Sequence, residues 1–165
     1  MERTDPVLLP PEELFSAVEE LLEQGLSAEF TVTGNSMWPL LKSGRDTVTL
    51  RVLDSPLKKG DLILFSPAKG RYLLHRVTRL EKNAFESTGD ANLSSDGVFP
   101  TTCILGRVIL IHRKEKRISC KNFWYRFSVW VWMGLVPVRK PLLKILRFFA
   151  RLRSIGASNE PKKGK

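Results

Sequence analysis

Histidine and cysteine are both scarce, with two of each in 165 residues. Cys103 and Cys120 are too few for the disulfide framework of a small secreted domain, and no CxxC spacing offers a zinc site. Two reduced, mostly buried thiols are the expectation, and neither a metal nor a cofactor is implied. His75 and His112 leave few ways to assemble a serine–histidine–acid site, which narrows the search for one. Acidic side chains nearly vanish toward the C-terminus. Residues 112–165 hold 15 Lys/Arg against 2 Asp/Glu, a balance of +13, whereas residues 1–111 hold 12 against 15, a balance of −3. A mildly acidic domain followed by a strongly basic tail implies an anionic partner, either a membrane surface or nucleic acid. The N-terminal residues lack a long apolar run and carry six acidic groups from Glu12 to Glu29. A secretory signal or N-terminal anchor is therefore not expected there.

What is present suffices for a packed core, since 42% of residues are apolar and 27% charged. Pro10-Pro11-Glu12-Glu13 predicts a helix start, Leu14, Val18, Leu21 and Leu22 recur at helical spacing, and Gly25 is a stop. From Glu29 the period becomes two. Phe30 and Val32 alternate with Thr31 and Thr33, and Val48, Leu50 and Val52 alternate with Thr47, Thr49 and Arg51. Residues 62–65 form a short buried run. Leu73, His75 and Val77 share a face, and residues 104–111 and 117–120 read as further strands. Five or more short strands with turn signals predict an all-β barrel or sandwich; strand–helix–strand alternation is missing, which argues against a parallel α/β fold.

The composition shifts after Lys121. Residues 123–138 hold Trp124, Trp130 and Trp132 and a single charge, Arg126. As a helix they reach roughly 24 Å, short of the roughly 30 Å hydrocarbon core. Beyond Pro141, Leu142, Ile145, Leu146, Phe149 and Leu152 are expected on one helix face and Lys144, Arg147 and Arg151 on the other. Aromatics followed by a basic amphipathic helix match a chain lying in a membrane interface, so these residues are expected to associate with an anionic membrane. The aromatics are not interleaved with basics, and no helix-turn-helix fits before the strands, so nucleic acid is the weaker partner. The expected organisation is an N-terminal amphipathic helix over 1–26, a β-rich domain over 27–121 and an apolar, basic tail over 122–165.

Gly34-Asn35-Ser36-Met37-Trp38-Pro39 follows a strand directly. A serine on such a turn presents its hydroxyl beside free backbone N–H groups, as an acyl-transfer nucleophile requires; an ordinary turn serine has the same sequence. Asp90 and Asp96 lie in a polar loop, where turn chemistry alone accounts for such residues. In order, however, Gly-x-Ser-Met-x-Pro, Lys-Lys-Gly-Asp-Leu-Ile-Leu-Phe, His-Arg-Val, Thr-Gly-Asp-x-Asn and Leu-Gly-Arg-Val resemble the type I signal peptidases, in the branch that uses Ser-His-Asp. The resemblance covers roughly residues 30–111. It implies a β-rich serine endopeptidase of the signal-peptidase/LexA superfamily, cleaving a signal or leader peptide from a polypeptide substrate. Ser36 maps onto the nucleophile, His75 onto the general base and Asp96 onto the third catalytic position, with Asp90, Gly34 and Met37 in support. The strand over residues 30–33 (Phe30, Thr31, Val32, Thr33) is expected to pair with the substrate. The chain departs from the family in its acidic first helix, in Leu40 after the proline, and in the extra residue of Gly44-Arg45-Asp46. A maturation protease dedicated to one small peptide and a non-catalytic peptide-binding relative are the alternatives.

Overall fold

The computed structural model describes residues 10–158. Helix α1 (Pro11–Glu23) starts after Pro10 and ends before Gly25, whose φ of +74° few residues but glycine adopt. Val18 and Leu22 are buried, and burying each stabilises the fold by roughly 1.5–3 kcal/mol. Leu22 leaves so little room that a Cβ on Gly106 would lie 3.0 Å from it. The first helix is thus part of the core.

The strands are β1 (Ala28–Thr31), β2 (Asp46–Arg51), β3 (Leu62–Ala68), β4 (Arg71–Leu80), β5 (Ala84–Thr88), β6 (Gly97–Pro100), β7 (Ile104–Arg113) and β8 (Lys116–Ser119). All pairings are antiparallel, in the order β1-β2-β7-β3-β4-β5-β6, with β8 also on β7. The mainly β expectation holds. The barrel or sandwich does not: the strands form one open sheet, and β1 and β6 do not pair to close it.

Strand β3 is buried on both faces, which is why residues 62–65 read as an unbroken apolar run. Leu62 and Leu64 join one cluster with Val18, Leu22, Phe30 and Leu50. Ile63 and Phe65 join a second, with Val77 and Phe85. The same alternation passes to β4, where Ile63 opposes His75 and Leu62 opposes Arg76. Consecutive residues of the His-Arg-Val motif therefore face opposite sides of the sheet.

Asn122 caps helix α2 (Phe123–Gly134) by accepting from the Trp124 N–H at 2.8 Å. A 3-10 turn (Val136–Val138) leads into α3 (Arg139–Ser158). Among the described residues no helix is long and apolar enough to cross a membrane. The inner face of α2 buries Val129 and Trp132, while Phe123, Trp124 and Trp130 are 70–73% exposed. On α3, Leu143 is buried, whereas Ile145, Phe148 and Phe149 are exposed together with Lys144 and Arg147. The helical spacing keeps Ile145 and Phe149 on one face, as expected, and that face is exposed rather than packed inward with Leu143. The side chains of Arg151 and Leu152 lie outside the described residues.

Candidate active site

His75 sits mid-strand on β4 and is 5% exposed. Its Nδ1 lies 2.6 Å from Asp96 Oδ2. An ionised carboxylate only accepts hydrogen bonds, so Nδ1 carries a proton, and in the neutral ring Nε2 is the nitrogen with the lone pair. Among the described residues Nε2 has no protein partner. Among the described residues only Arg139 Nε is both sealed from solvent and unpaired, so Nε2 still touches solvent. Asp96 is held from two sides by buried Ser87, whose hydroxyl donates to Asp96 Oδ2 at 2.8 Å and whose carbonyl accepts from the Asp96 N–H at 2.9 Å. His112 makes different contacts: its Nε2 meets Thr49 Oγ1 at 2.8 Å and Glu29 at 3.6 Å.

Ser36 is half-buried in the turn after β1, which Gly34 enters at φ +82°. Its carbonyl accepts from the Ala91 N–H at 2.7 Å. That approach requires Gly89, because a Cβ there would lie 2.7 Å from Ser36 O and 2.8 Å from Asn92 Nδ2. The Ser36 hydroxyl makes no hydrogen bond to His75 among the described residues. The backbone N–H groups of Ser36 and Met37 also have no protein partner there. Met37 is 2% exposed and belongs to the core cluster, so its side chain anchors the turn from inside.

Asp90 lies on the other side of β4. Its carboxylate takes both prongs of the Arg76 guanidinium, Nε at 2.8 Å and Nη2 at 2.6 Å. Both side chains are almost fully buried. Burial disfavours the Arg76 charge, but Asp90 outweighs burial and raises its pKa above the ordinary value. Arg76 Nη1 also donates to Gly60 O at 2.9 Å and meets the Tyr125 hydroxyl at 3.5 Å. Burial pushes that hydroxyl up to about 12. Cys103 and Cys120 are free and half-buried, and burial pushes the Cys120 thiol up to about 11.

The tail closes over this pair. Trp132 Nε1 donates to Asp90 O at 3.0 Å. Arg139 donates to Asn92 O and Trp132 O, each at 3.2 Å, and its guanidinium lies 5.5 Å from the Trp132 ring centre. Trp132, expected at a membrane, is a buried strut behind the loop that holds Ser36. Two substrate-strand residues need a similar correction. Phe30 and Val32 are 7% and 3% exposed, and Val32 spends both backbone groups on Asp46 O and the Gly44 N–H. By alternation the N–H and C=O of Thr31 point to the free edge of β1, and those of Thr33, beyond the strand, have no backbone partner among the described residues.

No protein-family model and no curated protein matches the chain. The sequence assigned no role to Ser87, Arg76 or Arg139, and it assigned Trp132 to a membrane rather than to the serine loop. Arg76 carried a usable signal, since a charged residue next to a buried histidine in an apolar strand needs a buried acid.

Proposed function

We propose that the chain is a serine endopeptidase resembling the type I signal peptidases, acting on a leader or signal peptide by Ser-His-Asp acyl transfer. The buried His75–Asp96 hydrogen bond carries the reading, because it fixes the tautomer that leaves Nε2 basic and solvent-facing. In this scheme Nε2 takes the Ser36 proton as the hydroxyl attacks the scissile carbonyl. Asp96 stabilises the imidazolium, and the free N–H groups of Ser36 and Met37 receive the oxyanion. The proton then passes from Nε2 to the leaving amine, and water repeats the sequence on the acyl-enzyme. Substrate extends β1 through the free backbone groups of Thr31 and Thr33. A Ser36–His75 hydrogen bond absent from the free enzyme is compatible with one that tightens on substrate binding. Its absence is also what the peptide-binding, non-catalytic alternative requires.

A fluorophosphonate probe separates the two readings. The native chain should be labelled on Ser36, and Ser36→Ala and His75→Ala should abolish labelling, the serine variant with an unfolding midpoint near native and the histidine variant with a lower midpoint but a retained fold by circular dichroism. Asp96→Asn should slow labelling by orders of magnitude. An unlabelled native chain, or labelling that survives Ser36→Ala, rejects the peptidase. Membrane association through the tail belongs to the same proposal and rests on the exposed aromatics of α2 and the cations of α3.

A further inference from the structure

A concavity of about 830 Å³ lies between α2, the loop leading into β3, strand β7 and the residues just after β8. Val129 and Met133 line its floor, and the exposed rings of Phe127 and Trp130 line its outer wall. Those rings belong to a continuous row, with Phe123, Phe127 and Trp130 stacked at centroid distances of 6.2 and 6.1 Å. The opposite rim is cationic. Lys58, Lys59 and Lys121 are exposed there and make no salt bridge among the described residues. Its one acid, Asp61, is engaged by Arg107 at 3.2 Å, Arg126 at 3.8 Å and the Lys58 N–H at 3.0 Å. The groove therefore joins an apolar, aromatic wall to three ammonium groups without a salt-bridge partner among the described residues.

We propose that this groove, rather than the basic face of α3, is the membrane-docking site, and that it takes an anionic phospholipid of a bilayer. The proposal rests on the membrane reading of the tail and assigns it a place and a chemistry. Indole and phenyl rings are favoured at the headgroup boundary, where one side is apolar and the other wet. Ammonium groups beside them meet the phosphates of the same leaflet. The inner face of α2 is committed to Trp132 and Val129, so only its outer face remains for lipid. On α3, Ile145 and Phe149 lie on a face apart from Lys144 and Arg147, and no residue of α3 lines the groove.

The test uses the full chain and sedimentation with phosphatidylcholine vesicles, with and without phosphatidylglycerol. Lys58→Glu, Lys59→Glu and Lys121→Glu together should weaken binding to the anionic vesicles by at least on the order of 100-fold, at about fivefold for each lysine removed from the surface. The same charge change on α3, through Lys140→Glu, Lys144→Glu and Arg147→Glu, should weaken it far less. Phe127→Ser with Trp130→Ser should remove the binding that survives high salt. All these side chains are exposed, and circular dichroism checks the fold. Native-like binding by the groove variant, or an equal or larger loss in the α3 variant, overturns the groove assignment while the membrane reading stands. Failure of the native chain to bind either vesicle overturns both. Cleavage of a soluble peptide should be unchanged in the groove variants. Its loss would assign the groove to the peptide substrate and overturn the lipid site.

Discussion

Replacing Trp132 by Phe tests whether the tail positions the serine loop. The substitution keeps an aromatic ring under Arg139 and deletes one donor, the indole Nε1–H that reaches Asp90 O at 3.0 Å. The orphaned carbonyl is buried, and leaving such an acceptor unpaired costs about 1–3 kcal/mol. The smaller ring adds a void, so the total is about 2–4 kcal/mol. For a chain of this size each kcal/mol moves the melting point by about 2–4 °C, which places the variant roughly 4–16 °C below native. Urea unfolding should show a lower midpoint at an unchanged slope. Lost stability alone does not establish positioning. The discriminating readout is amide exchange at Ala91, whose N–H holds the Ser36 carbonyl at 2.7 Å. That amide should exchange at least about tenfold faster, the equivalent of 1.4 kcal/mol of local opening, while the amides of β2 and β7 change only with global stability. Fluorophosphonate labelling of Ser36 should slow in parallel. If Ala91 keeps its protection relative to the rest of the sheet, Trp132 merely fills space and the positioning argument fails.

Gly89→Ala forces a methyl group to within 2.7 Å of Ser36 O. It should cost about 1–3 kcal/mol and slow Ser36 labelling more than its melting-point shift accounts for; labelling at the native rate would show that the loop yields without moving the serine. Acid should unfold the protein partly through Asp46, which is fully buried. Burial raises its pKa, but hydrogen bonds from Arg45, Arg113 and the Lys42 N–H outweigh burial and hold the carboxyl at about 2, below its ordinary 3.8. A depressed pKa contributes stability that is complete above about pH 4 and lost as pH falls through 2. The contribution is about 1–2 kcal/mol after allowing for the half-exposed arginines. Asp46→Asn should flatten the acid limb of the stability–pH curve, measured by urea unfolding, and an unchanged limb would refute the assignment.

Strong periodic signals carried much of the fold. The start and stop of α1 and the strands β2, β3, β4, β7 and β8 follow from proline and glycine punctuation and from two-residue alternation. Strands β5 and β6 escaped because Glu86 and Ser87 interrupt one and Pro100 ends the other. Each is also only four or five residues long, so it depends on its neighbours for its pairing. The site was legible as far as Ser36, His75 and Asp96 by resemblance alone. Its supporting contacts were not, because Ser87 and Trp132 act through individual hydrogen bonds that no composition reveals. The tail misled for a related reason: three tryptophans in one apolar block look alike until helical phase sends Trp132 inward and Trp124 and Trp130 outward.

His75 and Arg76 are chain neighbours that point to opposite sides of β4, and each finds its own aspartate in the loop after β5. That loop therefore straddles the strand like a clasp, with Asp96 closing one side and Asp90 the other. A clasp tolerates slack in its span but not in its post. Extra residues between Asn92 and Ser95, where Leu93 is 56% exposed, would lengthen the span and leave both ends fastened. One extra residue between Tyr72 and His75 would turn the strand by half its two-residue repeat. It would carry the guanidinium toward Asp96 and the imidazole toward Asp90, under the indole. Insertions and deletions in this protein thus sort by parity in β4 and by little more than length in the loop.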